Sequence, residues 1–432
     1  MPSETVADKP GMQSTVDWRA SREPWTEQAR IVAASTRYPP WARWSGAGRE
    51  RYTIGVEEEL MLLDASDLTL AQTSDALRAR FSTELLEHTG PETHAAVLEL
   101  KTDIHSGVAR AGAQLARLRQ QLSGELRAMG LCAASAGTYP LIAKEEIQLS
   151  AGARYRALAD SMRSLARRTP TMALHVHVGV PDPEDAIRVL NGLRASVPLL
   201  LALSANSPFC EGRDGGFASE RTTIFQRFPR TGIPRTFAGY AEYIQAVDGL
   251  IGSGAIPDPS FLWWDVRLQP ALGTVEVRVM DAQVNVVDSA ALVALVQSLA
   301  RLELEGDTPA SQSSPEVLAE NRFLAARDGM DASLIEPGEQ RLTPVWETIE
   351  STMASCLPHA EALGCSAQLE NVARLAVANG ADRQRRRACE AADLHGMLEA
   401  LTQDFSGLRS IDVPALGVSC LPASRASATS QT

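Results

Sequence analysis

The chain has 432 residues, of which 44% are hydrophobic and 22% charged, and it carries a net charge of −12. This is a globular profile, long enough for one large or two ordinary domains. The acidic balance argues against a broad basic face for nucleic acid and suits a protein that handles small molecules. No uninterrupted apolar run reaches bilayer-spanning length and no basic-then-apolar leader opens the chain. A cytoplasmic protein with no membrane partner is therefore expected.

Residues 1–50 read as an N-terminal extension without sustained periodicity, yet Trp18, Trp25, Trp41 and Trp44 lie in it. Large aromatics are depleted in disordered segments, so part of this arm is expected to pack on the body or on a second subunit, which makes a homodimer one expectation. A flexible arm with incidental aromatics is the alternative.

The stretch Tyr52–Asp64 then sets Glu57, Glu58 and Glu59 between apolar runs. Read as a strand, it points Ile54, Val56, Glu58 and Leu60 one way and Gly55, Glu57 and Glu59 the other. Neighbouring carboxylates cost too much by desolvation and repulsion to be strand filler, unless they are solvated on an edge or a cation compensates them. Glu57 and Glu59 on one face make half a site for a hard divalent metal. Glu99, flanked by Leu98 and Leu100, is in turn either a ligand or an edge-strand surface charge.

Leucines at 115, 118, 122 and 126 predict a helix over 106–129, followed by a strand at 131–135 and a helix over 155–168. The run 172–180 alternates as a strand with His175 and His177 on one face, and a largely apolar helix follows over 183–203. Residues 204–236, rich in Gly and Pro, read as a long functional loop that could close over bound substrates, with Arg221, Arg227 and Arg230 able to reach an anion. Strands are predicted at 262–268, where Asp265 and Arg267 alternate, and at 274–281, where Glu276 and Arg278 form a further i, i+2 pair. Helices are expected over 286–306, 315–329, 341–363, 366–379 and 388–404, and residues 409–432 read as a disordered tail. Irregular alternation of strands and helices favours an α+β fold with a mainly antiparallel sheet.

Glu57/Glu59, His175/His177 and Glu276/Arg278 each project to one face of a strand. Taken singly, an HxH pair is more often structural and an ExR pair is usually a cross-strand ion pair. In one sheet facing one way, the three pairs would form a wall of carboxylates, imidazoles and a guanidinium. Such a wall can bind Mg²⁺ and neutralise phosphate. Neither a GxxxxGK[ST] loop nor a GxGxxG fingerprint occurs, so a nucleotide would depend on metal ions and arginines. The six cysteines show no CxxC spacing and read as incidental thiols.

Several segments resemble one family. They are Thr53–Glu59, His175–Val180, Leu203–Phe209, Gln226–Pro229, Thr274–Val279, Glu320–Arg322 and Gly380–Arg385. In that order they are similar to carboxylate–amine ligases of the glutamate–cysteine ligase type 2 group, within the glutamine-synthetase-like superfamily. The resemblance implies a catalytic domain over 51–408 of glutamine synthetase/guanido kinase-like fold, its sheet forming a concave active-site wall covered by helices. It implies ATP and Mg²⁺ or Mn²⁺ as cofactors, with a carboxylic acid and an amine joined through an acyl phosphate. Glu57, Glu59, Glu99 and Glu276 are implied as metal ligands, and His175 or His177 as the active-site histidine. Arg278 is implied to face phosphate; Arg221 and Arg322 are expected as further nucleotide contacts and Arg227 as a catalytic contributor. Two positions depart from the pattern: Asp103-Ile104 replaces a proline-containing stretch, and Tyr139 stands where a histidine is common. An acid other than glutamate, or phosphotransfer of the guanidino-kinase type, are the alternatives.

Overall fold

A computed structural model of the chain describes residues 38–306, 313–336, 338 and 341–407. The chain divides into two units, Met1–Pro40 and Trp41–Thr432, and the description below concerns the second. Trp18, Trp25 and the expected tail fall outside the described residues.

The sheet is built from β1 (Ile54–Asp64), β2 (Thr89–Pro91), β3 (Val97–Lys101), β4 (Leu131–Ala134), β5 (Ala173–Gly179), β6 (Val266–Gln269) and β7 (Thr274–Asp281). Its order is β6-β7-β5-β1-β3-β2, with β4 pairing the second half of β1. Every pairing in this sheet is antiparallel, as expected for an α+β fold. The register sets Glu57 opposite His175, Glu59 opposite Glu99, and His177 opposite Glu276. Strand pairing therefore brings together chemistry that is far apart in sequence.

One face of the sheet is covered by α1 (Val108–Arg127), α3 (Pro183–Ser204) and α6 (Val286–Glu305). α1 buries Val108, Ala111, Leu115, Leu118, Leu122 and Leu126, the i, i+3/i+4 stripe that a sheet-covering helix needs. α3 starts on Asp182, whose carboxylate accepts the Glu184 and Asp185 N–H groups at 2.8 and 3.0 Å. α3 is long and apolar enough to cross a membrane by length and composition, which the sequence reading did not register, but 78% of that window is buried inside the structure. Burial against a sheet accounts for its apolarity. Ile54, Val56, Leu60, Leu98, Leu174 and Val277 point from the sheet into this layer. On the other face, Met61 and Leu63 pack with Val97, Ala134 and Met172 beneath the helix Leu394–Phe405, while the part bearing Glu57 and Glu59 is left open as a cavity.

The middle glutamate takes the opposite face from its neighbours. Glu58 is fully buried under α1, where Arg119 Nε and Nη2 each donate to it at 2.8 Å. The Ser289 hydroxyl of α6 donates to the same carboxylate at 2.6 Å. Arg119 also donates to the carbonyls of Gln283 and Val284, so both charges are fully hydrogen-bonded.

Three expectations are corrected. The strand over 262–268 is broken at Asp265: Trp263–Trp264 pair in parallel with Thr231–Gly232, and only Val266–Gln269 join the sheet. The single helix at 388–404 is two helices, α9 (Gly380–Ala391) and α10 (Leu394–Phe405), separated at Ala392 with φ 64°. The segment 204–235 is not an open loop; it holds a two-residue hairpin and the helix α4 (Glu220–Phe225). Its start and middle are tied to the buried Asp281 carboxylate, which accepts from the Asn206 N–H at 2.9 Å, Ser207 Oγ at 2.7 Å and Ser219 Oγ at 3.0 Å. A lid moving as a whole would have to break this cluster.

Arg119→Met should destabilise the protein by about 3–5 kcal/mol, because it strands a buried carboxylate. Chemical denaturation checks this; a loss near zero would mean that Glu58 finds water or a proton without difficulty.

Candidate active site

A cavity of ≈ 280 Å³ opens on the free face of the sheet, lined among others by Glu57, Glu59, Glu99, His175, His177, Glu276 and Arg278. All four expected carboxylates and both histidines thus converge, together with Arg278. Glu57, His175 and Glu276 each place a ligand atom within 4.8 Å of the others. His175 Nδ1 lies 3.3 Å from Glu57, and His177 Nε2 lies 3.5 Å from the same carboxylate. Glu59 accepts the Ala173 N–H at 2.7 Å, which aims its other oxygen inward. Glu99 has room because its partner across the ladder is Gly90: a Cβ there would sit 2.8 Å from Glu99 Oε1.

Electrostatics follow from this crowding. Burial and then the charge of Glu92 push Glu59 up to about 8. Burial, then Glu57 and Glu92, hold Glu99 well above the usual carboxylate range, and burial likewise raises Glu92. For Glu276 burial acts upward, but Arg267 and Arg278 outweigh it and hold the carboxyl well below its ordinary value. Glu57 is also drawn down against its burial, by His177 and His175. Burial and the charge of Arg278 lower His175 to about 4, whereas Glu276 and Glu57 raise His177 in spite of its burial.

These residues fit a hard divalent cation. The donors are mainly carboxylate oxygens, those of Glu59, Glu92 and Glu99 raised first by burial and then by neighbouring negative charge, and the buried His177 Nε2 has no hydrogen-bond partner. A cation among them would relieve both conditions.

Not every expected residue reaches this cavity. Arg221 lines a smaller pocket of ≈ 80 Å³ that shares Glu59, Glu92, His175 and Arg278 with the main cavity. Two of its nitrogens donate to the carbonyls of Arg278 and Val279, while its buried Nε has no partner. Arg227 is exposed and lines a separate cavity of ≈ 990 Å³ beside Tyr139, Arg167 and Glu220. Arg322 stands outside these cavities; it grips Asp265 through two bonds of 2.6 and 3.2 Å, and that buried pair anchors the broken strand. The structure therefore gives Arg322 a structural partner in place of an anion and separates Arg227 from the carboxylates.

Sequence reasoning missed Glu92, Arg154 and Tyr155, which also line the main cavity. Glu92 follows the three-residue edge strand β2, too short for alternation to flag it. Arg267 was visible in the sequence without a role; it donates to Glu276 at 2.7 Å.

The glutamate–cysteine ligase of Francisella tularensis, solved in complex with AMP, superposes with a TM-score of 0.62 at 14% identity, over 85% of this chain and 91% of that one. A bifunctional glutathione synthetase from Pasteurella multocida gives 0.60 at 13% identity, over 83% of this chain and 52% of that one. At these identities the likeness establishes the fold. The chain belongs to glutamate–cysteine ligase family 2, whose family model matches residues 53–404. A Rubrobacter xylanophilus protein named "Putative glutamate--cysteine ligase 2-1" is 38% identical over 79% of this chain and 92% of its own length. A Sorangium cellulosum protein named "Putative glutamate--cysteine ligase 2" is 35% identical over 82% of this chain and 96% of its own length. The protein is thereby glutamate–cysteine ligase-like, a carboxylate–amine ligase in class.

Adding Mg²⁺ or Mn²⁺ should raise the melting temperature, since a ligand at about 100 times its Kd contributes about 2.7 kcal/mol. Glu59→Gln should melt no lower than wild type without metal, yet gain less from it. An equal metal-induced gain in both proteins would remove Glu59 from the ligand set.

Proposed function

We propose that the protein is an ATP-dependent carboxylate–amine ligase that forms an amide bond through an acyl phosphate, acting on small molecules in the cytoplasm. The observation that carries this reading is the single cavity shared by Glu57, Glu59, Glu99 and Glu276 with Arg278 and Arg267. Family membership supports the reaction class, and the AMP bound by the Francisella enzyme supports a nucleotide at this fold.

A carboxylate is a poor acyl donor because oxide is a poor leaving group. Transfer of the γ-phosphoryl group to a carboxylate oxygen releases ADP and leaves an acyl phosphate, from which phosphate can depart. The amine nitrogen then attacks the carbonyl carbon, the C–O bond to phosphate breaks, and the nitrogen loses a proton. Glu57, Glu59, Glu99 and Glu276, with His175 or His177, would hold Mg²⁺ or Mn²⁺, which offsets the charge on the triphosphate when bound.

The chain's own groups supply the rest. Arg278 is held by Glu276 through Nη1, and its Nε is buried without a partner, which leaves that N–H for an anionic oxygen. Its charge is fixed in place before the reaction, which is the condition for electrostatic stabilisation without reorganisation. His177 is oriented by Thr274 Oγ1, 3.0 Å from its Nδ1, with Nε2 turned to the carboxylates. The phenyl and indole rings of Phe225, Phe228 and Trp263 wall the inner pocket beside Arg221 and limit the access of water to an acyl phosphate.

The test is a screen of carboxylic acids against amines, with ADP release and product mass measured together. ADP release that requires both substrates, with a product equal to their sum less water, is the expected result. ADP release with a phosphorylated guanidino product and no amide would establish the phosphotransferase instead. Arg278→Ala should lower kcat by about a hundredfold or more, the scale of losing one preorganised donor. An unchanged kcat would place Arg278 outside the reaction.

A further inference from the structure

We propose that the segment Trp44–Arg49, which lies ahead of the family-matched region, is a positioning brace that holds the β6–β7 turn and through it the orientation of Glu276 and His177. This rests on the metal and nucleotide reading of the cavity given above. Three hydrogen bonds and one ring contact fasten the segment. The Trp44 indole N–H donates to the Val180 carbonyl at 2.9 Å, while its ring meets Tyr240 edge-on at 5.7 Å. The Ser45 N–H donates to the Pro270 carbonyl at 2.9 Å, and Arg49 Nη1 donates to the Leu272 carbonyl at 2.9 Å.

Between these contacts two glycines meet. Gly273, at φ +66°, turns the chain so closely against Gly46 that a Cβ on it would collide with the Gly46 backbone. A Cβ on Gly46 would sit 2.5 Å from the Val180 carbonyl oxygen and 2.5 Å from the Trp44 ring nitrogen. Both neighbours are held by hydrogen bonds, so neither can give way cheaply. The Val180 N–H donates to Gly273 at 3.0 Å, which closes the arm, the end of β5 and the turn into one unit.

The residues that flank this turn touch the site directly. Gln269 Nε2 donates to Glu276 at 2.6 Å, and Thr274 Oγ1 lies 3.0 Å from His177 Nδ1. Leu272, at the tip, lines the cavity mouth. A shift of the turn would move one hydrogen bond on a candidate metal carboxylate and another on the histidine beside it. Outer partners of this kind set ligand orientation as much as the ligands themselves.

The test uses the full-length protein and three variants, reading Mn²⁺ affinity by electron paramagnetic resonance and the ring nitrogens of His177 by NMR without metal. Gly46→Ala should weaken Mn²⁺ binding by about tenfold, within the range for lost outer-sphere partners. It should also shift the His177 ring signals. Trp44→Phe keeps an aromatic ring but loses the indole N–H together with the five-membered ring, and should act in the same direction if Gly46→Ala folds poorly. Arg51→Ala breaks a surface pair with Asp185 at 3.0 Å on the same arm, and should change neither readout. Unchanged affinity and unchanged His177 signals in folded Gly46→Ala or Trp44→Phe would overturn the brace, as would an equal effect from Arg51→Ala. If wild-type protein binds no Mn²⁺, the metal reading falls. The brace then stands or falls on the His177 signals alone.

Discussion

Like charges gathered on the open face of one sheet set the terms for the rest of the molecule. Glu57, Glu59, Glu92, Glu99 and Glu276 share one cavity, against the guanidinium groups of Arg267 and Arg278. Carboxylates at this density repel one another and resist desolvation, and the raised positions of Glu59, Glu92 and Glu99 record it. An arrangement that costs stability persists when the surrounding structure holds it and a ligand returns the free energy on binding. Here the antiparallel register supplies the hold, since Glu57, Glu59, Glu99 and Glu276 sit on strands paired on both sides and Glu92 directly follows the edge strand β2.

The opposite face provides rigidity. α1, α3 and α6 cover it with a continuous apolar layer, and Glu58 sends into that layer the one carboxylate of the triplet that does not belong to the cavity. Its bond to Arg119 ties β1 to α1, and the bonds of Arg119 to Gln283 and Val284 tie both to the entry of α6. Asp281, at the end of β7, performs a comparable task for residues 204–221 and places Arg221 beside the inner pocket. Polar networks buried at both ends of the active strands thus fix their side chains from behind.

Much of the site was legible in the sequence because β-strand periodicity converts spacing directly into direction. The pairs Glu57/Glu59, His175/His177 and Glu276/Arg278 needed only the alternation of a strand to be placed on one face, and the structure puts them there. Glu99 was legible for the same reason. What stayed hidden depends on tertiary context. Glu92 sits where Gly90-Pro91 ends an edge strand, so no periodicity marks it. Asp265 and Arg267 share a spacing of two, yet the strand breaks between β6 and Trp264, and they turn to Arg322 and Glu276 respectively. Arg322 looked like a phosphate ligand because nothing local in Glu320-Asn321-Arg322 reveals a buried partner 57 positions away. The helix Gly380–Ala391 was overlooked because its basic run and leading glycine mask a face that is anchored by Arg383 to Asp288 and by Arg385 to Asp214.

The central claim is that the acidic wall is a divalent-cation site, and crystals grown with Mn²⁺ and a nucleotide analogue would test it most directly by anomalous scattering. The account predicts anomalous peaks within about 2.0–2.6 Å of oxygens from Glu57, Glu59, Glu99 or Glu276, the distances of hard-cation coordination. Strong peaks only elsewhere on the molecule, with the nucleotide bound and these four carboxylates free of metal, would contradict it.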